Sequence, residues 1–405
     1  MKPISLIFAT LLILHSTLEI SQAQVSDKVI AGMSLDHLKH YENYVKREIS
    51  SGKIPGAVTL ITRKGETVYK SAIGISNSTN KSEMKTDNIF YIQSMTKPII
   101  TTAFMILFEE GHFLLTDPLS KYLPAAKDLR VLKNQQEGKG GETVAMKREI
   151  SLADLLSHTA GFSHGLGQTK YEKEIYAILS KPHKTIQERV DELLLAPLVG
   201  QPGEQWAYSI APDILSVLIE KFSGQSTNQF LTDRIFKPLG MKDTGYNLTK
   251  EQQSRVVQVQ GEDPGGVLTT HPKMEGNTVW SGVNALYSTA DDYMHFCQML
   301  LNGGNWNGRQ LLSRKTIELM TLNHSGDFFG SSGEGFGYGF AVVNNLAATN
   351  NLGSNGVYYW AGAFNTHFFI DPNEKLISIF LTQANAFDFY YHNKLRQLVY
   401  QAIVD

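Results

Sequence analysis

The chain has 405 residues, 42% hydrophobic and 19% charged, with 37 Lys+Arg against 39 Asp+Glu and a formal charge of −2. That length supports a large buried core and excludes a small scaffold stapled by disulfides or metal. The composition excludes wholesale disorder, and the lack of a basic excess argues against nucleic acid as the main partner.

The amino-terminal stretch reads as a secretory signal over residues 1–23. Lys2 is a positive start, Ile4 to Leu14 is an uncharged apolar run, and Ser21-Gln22-Ala23 places small residues before a cut at Gln24. The run is shorter than the ~20 residues of a membrane span, and Glu19 follows it. No later segment is apolar enough to span. The expected product is 24–405, exported to periplasm or medium with no membrane span. Its single cysteine, Cys297, lies in the apolar stretch Tyr293 to Leu301 and reads as a buried structural thiol.

After the signal, Ser34 to Ile49 reads as a helix capped by Ser34. Ala57 to Arg63 and Glu66 to Ile73, joined at Lys64-Gly65, read as a hairpin. Pro98 to Glu110 is a long apolar helix ended by Gly111, Ser151 to Ser157 a short one, and Asp213 to Phe222 another closed by Gly224. The polar, Gly-rich stretch Lys133 to Arg148 reads as an exposed loop. Near the far end, Phe364 to Asp371 and Lys375 to Thr382 form a second hairpin across Pro372-Asn373, and a closing helix runs from about Tyr390 to Val404.

Hairpins at both ends predict an α+β fold: one antiparallel sheet built from the two termini and flanked by helices, with a mostly helical insertion. The sheet part is predicted over 24–87 and 273–405, and the helical part over 88–272.

A Ser-x-x-Lys pattern sets an amine one helical turn from a hydroxyl, where it can take the proton of a nucleophile. The pattern occurs at Ser50, Ser78, Ser82 and Ser94. The first three lie in polar, turn-rich stretches. Ser94 instead follows the strand-like Ile89 to Gln93 and opens the apolar helix, where a free backbone N–H and the helix dipole favour developing negative charge. That helix would also desolvate Lys97 and favour its neutral form. Gly161-Phe-Ser-His-Gly165 matches a nucleophile elbow, but no strand precedes it and no helix follows at once, so Ser163 reads as a bystander in a loop and His158 and His164 as ordinary loop histidines. His37 and His40 share a helix without accompanying ligands; no metal and no cofactor is assigned.

The order Ser94-Met-Thr-Lys97, Leu155-Leu-Ser-His-Thr-Ala-Gly161, Pro202 to Ser209 with Tyr208, Leu286 to Tyr293, and Trp360-Ala-Gly362 resembles the serine β-lactamase-related family. That family joins class C β-lactamases, D-Ala-D-Ala carboxypeptidases, D-aminopeptidases and esterases of β-lactamase fold. The resemblance runs from Ile54 to Gln383. It implies Ser94 as nucleophile, Lys97 as its proton acceptor, and Tyr208 as a second proton-transfer group leaning on the Lys97 ammonium. It also implies an oxyanion hole of the Ser94 and Ala363 amides, with Trp360 and Gly362 on a sheet-edge strand.

Two positions depart from the family pattern. Ile210 stands where an Asn is usual, and Trp360 where a Lys or His is usual. Both usual groups would face substrate, so an apolar pair there favours a neutral one, and the Trp resembles the esterase branch. The expected activity is ester or amide hydrolysis of a small-molecule or peptide-like substrate through a Ser94 acyl-enzyme, esterase-like in preference. The alternatives are a D-Ala peptidase or β-lactamase acting on cell-wall-like substrates, and a silent binding protein for a cell-wall fragment or partner.

Overall fold

A computed structural model describes residues 27–259, 273–385 and 387–405, so the predicted signal and Pro272 at the end of the predicted insertion lie outside the described residues. Ser34 accepts from the His37 amide and starts helix α1 (Leu35–Ser50) as its capping character predicts. The first hairpin forms as β1 (Gly56–Arg63) and β2 (Glu66–Asn77), with a short β3 (Ser82–Glu83) beyond it. Helix α2 (Thr96–Glu109) follows the Ser94 turn, and α3 (Ala211–Ser223) ends at Gly224 in the left-handed conformation. Helix α4 (Ala290–Leu301) carries Cys297, which is buried and unpaired.

Strands β4 (Glu334–Phe336), β5 (Ala341–Val343), β6 (Tyr358–Gly362), β7 (Thr366–Asp371) and β8 (Leu376–Leu381) precede the closing helix α5 (Phe389–Tyr400). They join the first hairpin in one antiparallel eight-stranded sheet ordered β4-β5-β6-β7-β8-β1-β2-β3. Pairing of β8 with β1, Ile379 opposite Leu60, is the seam that welds the two ends of the chain.

Alternation along the strands divides the core into two layers. Val58, Leu60, Phe368, Ile370, Ile377 and Ile379 face α2, α4 and the helical region. Ala57, Ile61, Phe369 and Phe380 face α1 and α5 on the other side. Among the described residues no helix is long and apolar enough to cross a membrane.

Three expectations are corrected locally. The stretch after Lys133 is exposed but not a plain loop: Arg130–Leu132 pairs with Thr143–Ala145, because buried Val131 and Leu132 anchor the first arm on the core. Phe364 and Asn365 belong to a turn, with Asn365 at φ 63, so the strand begins only at Thr366. The strand holding Trp360 is not at the sheet edge, since β5 flanks it, yet that pairing stops at Tyr359 and leaves Trp360 to Gly362 paired on the β7 side.

His367 on β7 and His392 on α5 stack beneath the closing helix with ring centroids 4.7 Å apart, beside Arg396. Burial lowers both, His392 to about 4. The folded pair is therefore neutral where an unfolded chain would take up protons, and stability is lost as pH falls from about 6.5 toward 4. The His392 contribution is about 3 kcal/mol. Urea unfolding followed across this window is expected to show the loss, and His392→Phe to flatten it.

Candidate active site

Ser94 sits in a single 3₁₀ turn, Gln93–Met95, between the short ladder of Phe90–Tyr91 with Tyr287–Ser288 and the start of α2. The turn is sharp enough that Gln93 takes φ 48, a left-handed value uncommon for a residue with a Cβ. Holding it costs on the order of 1–3 kcal/mol, which its surroundings must offset. They do so from several sides: Thr366 Oγ1 donates to the Ile92 carbonyl at 3.4 Å, Gln383 Nε2 to that of Tyr91 at 3.1 Å, and the Tyr293 hydroxyl of α4 to that of Met95 at 2.9 Å. The sheet, its carboxy-terminal continuation and α4 thus all fasten the strand-to-helix junction.

One turn further on, Lys97 is 1% exposed within a helix whose residues 96–107 are all buried. Its Nζ lies 3.0 Å from Ser94 Oγ and 2.8 Å from the Val283 carbonyl. Desolvation drives the amine well below its ordinary value, opposed by attraction to Asp213.

Tyr208 completes the group, with Lys97 Nζ 4.5 Å from its ring centroid. Its irregular segment is pinned to the 158–163 loop: the Ala207 amide donates to the His158 carbonyl at 2.9 Å and the Ile210 amide to that of Ser163 at 3.0 Å. Burial raises the phenol, while Ser94 and the Trp360 indole pull the other way. Its hydroxyl and the Trp360 Nε1 are both buried without a hydrogen bond of ordinary geometry. Burial thus pushes both phenol and amine toward their neutral forms.

Trp360 and Gly362 lie on the segment of β6 nearest the Ser94 turn, and Ala363 opens the turn that follows. Ile210 is placed differently from the reading that set it toward substrate. It is 2% exposed and packed in the main core at the start of α3.

The competing motifs do not assemble a site. Ser50 bonds its own helix carbonyl, while Ser78 and Ser82 bond neighbouring amides on the surface. Ser163 donates to Glu172 at 2.6 Å in a loop with no strand before it.

Sequence reasoning passed over the surroundings of Tyr208. The His164 ring stacks on it at 4.8 Å and 11°, and His158, joined to Ser209 Oγ at 2.9 Å, packs 5.2 Å away. Burial lowers both imidazoles, His164 to about 3, so they pack as neutral rings. Trp206 extends the wall, meeting Phe329 edge-on at 4.9 Å, while Phe336 meets Trp360 at 5.2 Å. Arg148 and Arg189, which border the region, are each paired with a buried carboxylate, Asp154 and Asp213. A separate cavity of about 280 Å³, lined by Arg148, Asp154, Ser157, Thr159, His324 and Tyr338, contains none of Ser94, Lys97 and Tyr208. The only sequence signal for the aromatic wall was the density of rings from Trp206 to Tyr208 and from Phe328 to Phe340.

Comparison with known proteins gives the arrangement a context. A family model described as Beta-lactamase matches residues 39–401. Protein Rv1367c of Mycobacterium tuberculosis is 30% identical over 84% of this chain and 88% of its own length. Esterase EstB of Burkholderia gladioli is 25% identical over 82% of this chain and 86% of its own. Among solved structures, EstCE1, described as a hydrolase with promiscuous acyltransferase activity, aligns with a TM-score of 0.77 at 25% identity, covering 90% of this chain and 99% of that one. Simvastatin synthase (LovD) from Aspergillus terreus aligns with a TM-score of 0.75 at 21% identity over 91% and 98%, a likeness of fold.

Gly362 is where β6 meets the Ser94 turn most tightly. A Cβ there would lie 2.2 Å from Thr366 Oγ1 and 2.4 Å from the Ile92 carbonyl oxygen. Gly362→Ala is expected to cost roughly 1–3 kcal/mol by overpacking, read as a lower urea midpoint, and to displace the turn.

Proposed function

The chain belongs to the beta-lactamase family, and from that premise we propose that it is a serine hydrolase of esterase-like preference that cleaves small neutral esters through a Ser94 acyl-enzyme. The observation that carries the reading is the Lys97 amine, 1% exposed and 3.0 Å from Ser94 Oγ at the mouth of an apolar helix. A lysine kept neutral by burial is a competent base, and one turn of helix sets it beside its hydroxyl.

In the proposed reaction Ser94 Oγ bonds to the carbonyl carbon as its proton passes to Lys97 Nζ. The oxyanion is met by the Ser94 and Ala363 amides, the first at the strand-to-helix junction and the second following Gly362, which packs against Ile92 and Gln93. Collapse breaks the ester bond, and the departing alkoxide takes the proton by way of the neutral Tyr208 hydroxyl. Water then attacks the acyl-enzyme, giving its proton to the same pair, and Ser94 leaves reprotonated.

A neutral substrate is supported by the rings gathered beside Tyr208: Trp360 takes the position where the family resemblance expects a cation, and Trp206 stacks 6.0 Å from the Tyr208 ring. Export, resting on the Lys2 to Ala23 pattern, is part of the same proposal.

The test is the ratio of kcat/KM on a short-chain p-nitrophenyl ester to that on a chromogenic cephalosporin, with a fluorophosphonate probe to locate the nucleophile. The ester is expected to win and the label to sit on Ser94. Ser94→Ala should lose at least ~10³-fold of turnover and Tyr208→Phe at least ~10²-fold. A cephalosporin preference would favour the peptidase or β-lactamase reading, and an unlabelled Ser94 a silent binder.

A further inference from the structure

Asp213, in the first turn of α3, is 0% exposed, a costly place for a carboxylate without a purpose for its hydrogen bonds. Three of those bonds converge on one turn. Asp213 Oδ1 accepts from Ser281 Oγ at 2.7 Å, from the Gly282 amide at 2.9 Å and from the Val283 amide at 3.2 Å. Oδ2 faces Arg189 Nη1 at 3.4 Å. The turn lies so close on the start of α3 that a Cβ on Gly282 would fall 2.1 Å from the Pro212 carbonyl oxygen. The last residue of that turn, Val283, presents its carbonyl to Lys97 Nζ at 2.8 Å.

We propose that Asp213 is a positioning residue for Lys97: by clamping the Ser281 to Val283 turn it holds the Val283 carbonyl where it receives an N–H of the amine. The inference rests on the serine-hydrolase reading above. A neutral amine has two N–H groups and one lone pair. Donating one N–H to Val283 orients the lone pair, and among the described residues Ser94 Oγ is the other hydrogen-bond partner shown for Nζ. The clamp thereby decides whether the lone pair faces the hydroxyl it must deprotonate.

Asp213 also acts through its charge, which favours the protonated amine, and Arg189 pairs with that carboxylate at 3.4 Å, so on Coulomb's law it should weaken the attraction. The other titratable groups around the amine are Tyr208, His158 and His164, all buried and driven toward their neutral forms, and Tyr246 feels Asp213 from the far side. Asp213 and Arg189 are thus the opposed charges of this neighbourhood. Their removal has opposite signs at Lys97.

The experiment is the pH profile of kcat/KM on a p-nitrophenyl ester for the wild type, Asp213→Asn and Arg189→Gln, with Asp213→Ala as the clamp-breaking variant. Asn keeps an acceptor for the turn but loses the charge, so the acid limb should move to lower pH by roughly 0.5–1 unit with the plateau within about 10-fold of wild type. Arg189→Gln should move it to higher pH, and Asp213→Ala should lower the plateau by more than about 10-fold. A purely structural role would lower activity without moving the limb in opposite directions. Superimposable limbs in the Asn and Gln variants, beside a wild type whose turnover depends on Ser94, would overturn the proposal and leave the hydrolase reading intact. A wild type with no Ser94-dependent turnover would overturn both. If Asp213→Asn does not accumulate as folded protein, the direction of the Arg189→Gln shift decides alone.

Discussion

The site depends on an amine taken out of water. Lys97 sits on a helix buried on every side over its first three turns, and the cost of stripping an ammonium of solvent favours the neutral amine that the proposed reaction needs beside Ser94. A lysine at the same spacing on an exposed helix would be protonated at neutral pH and useless as a base. Ser50, Ser78 and Ser82 show the contrast within one chain, since each has its lysine three residues on and each hydroxyl is bonded at the surface.

Desolvation of that kind needs a scaffold that closes around the helix, and the sheet provides it. Its central strands β7, β8 and β1 come from opposite ends of the chain, and their inner faces pack on α2 and α4. The same sheet reaches the chain leading into the Ser94 turn through Thr366, Gln383 and the close approach of Gly362. The strained Gln93 conformation is affordable because these contacts over-determine it. Fold and site are therefore not separable layers: the bonds that seat the sheet on the helical region are the ones that aim Ser94.

Electrostatics around the amine are arranged by subtraction. Burial favours the neutral forms of Tyr208, His158 and His164, and Asp213, paired with Arg189, is the charge that acts on Lys97. Beside Tyr208 the rings of Trp206, Phe329, Phe336 and Trp360 pack on one another, which is the observation behind the proposal of an uncharged substrate.

Much of this was legible along the chain. The capping Ser34, the turn at Lys64-Gly65 and the alternation in β1 and β8 are local signals with local causes, so the elements they mark came out within a few residues. The hairpin arms on either side of Lys133 were missed because burial of Val131 and Leu132 against the core, rather than any local pattern, pairs them. Ile210 was set toward substrate because the family it resembles usually carries an Asn there, yet the start of α3 turns it into the core.

By itself the sequence determined that a hydroxyl and an amine stand three residues apart at the head of an apolar helix, because helical pitch dictates that neighbourhood wherever the helix forms. Only the tertiary structure decided that the Val283 carbonyl, more than a hundred residues away, meets that amine, and that the buried Asp213 carboxylate holds the turn from which it comes. Such contacts have no period or spacing to betray them. They exist because two faces of one sheet must be covered, and covering them brings distant turns to a single point.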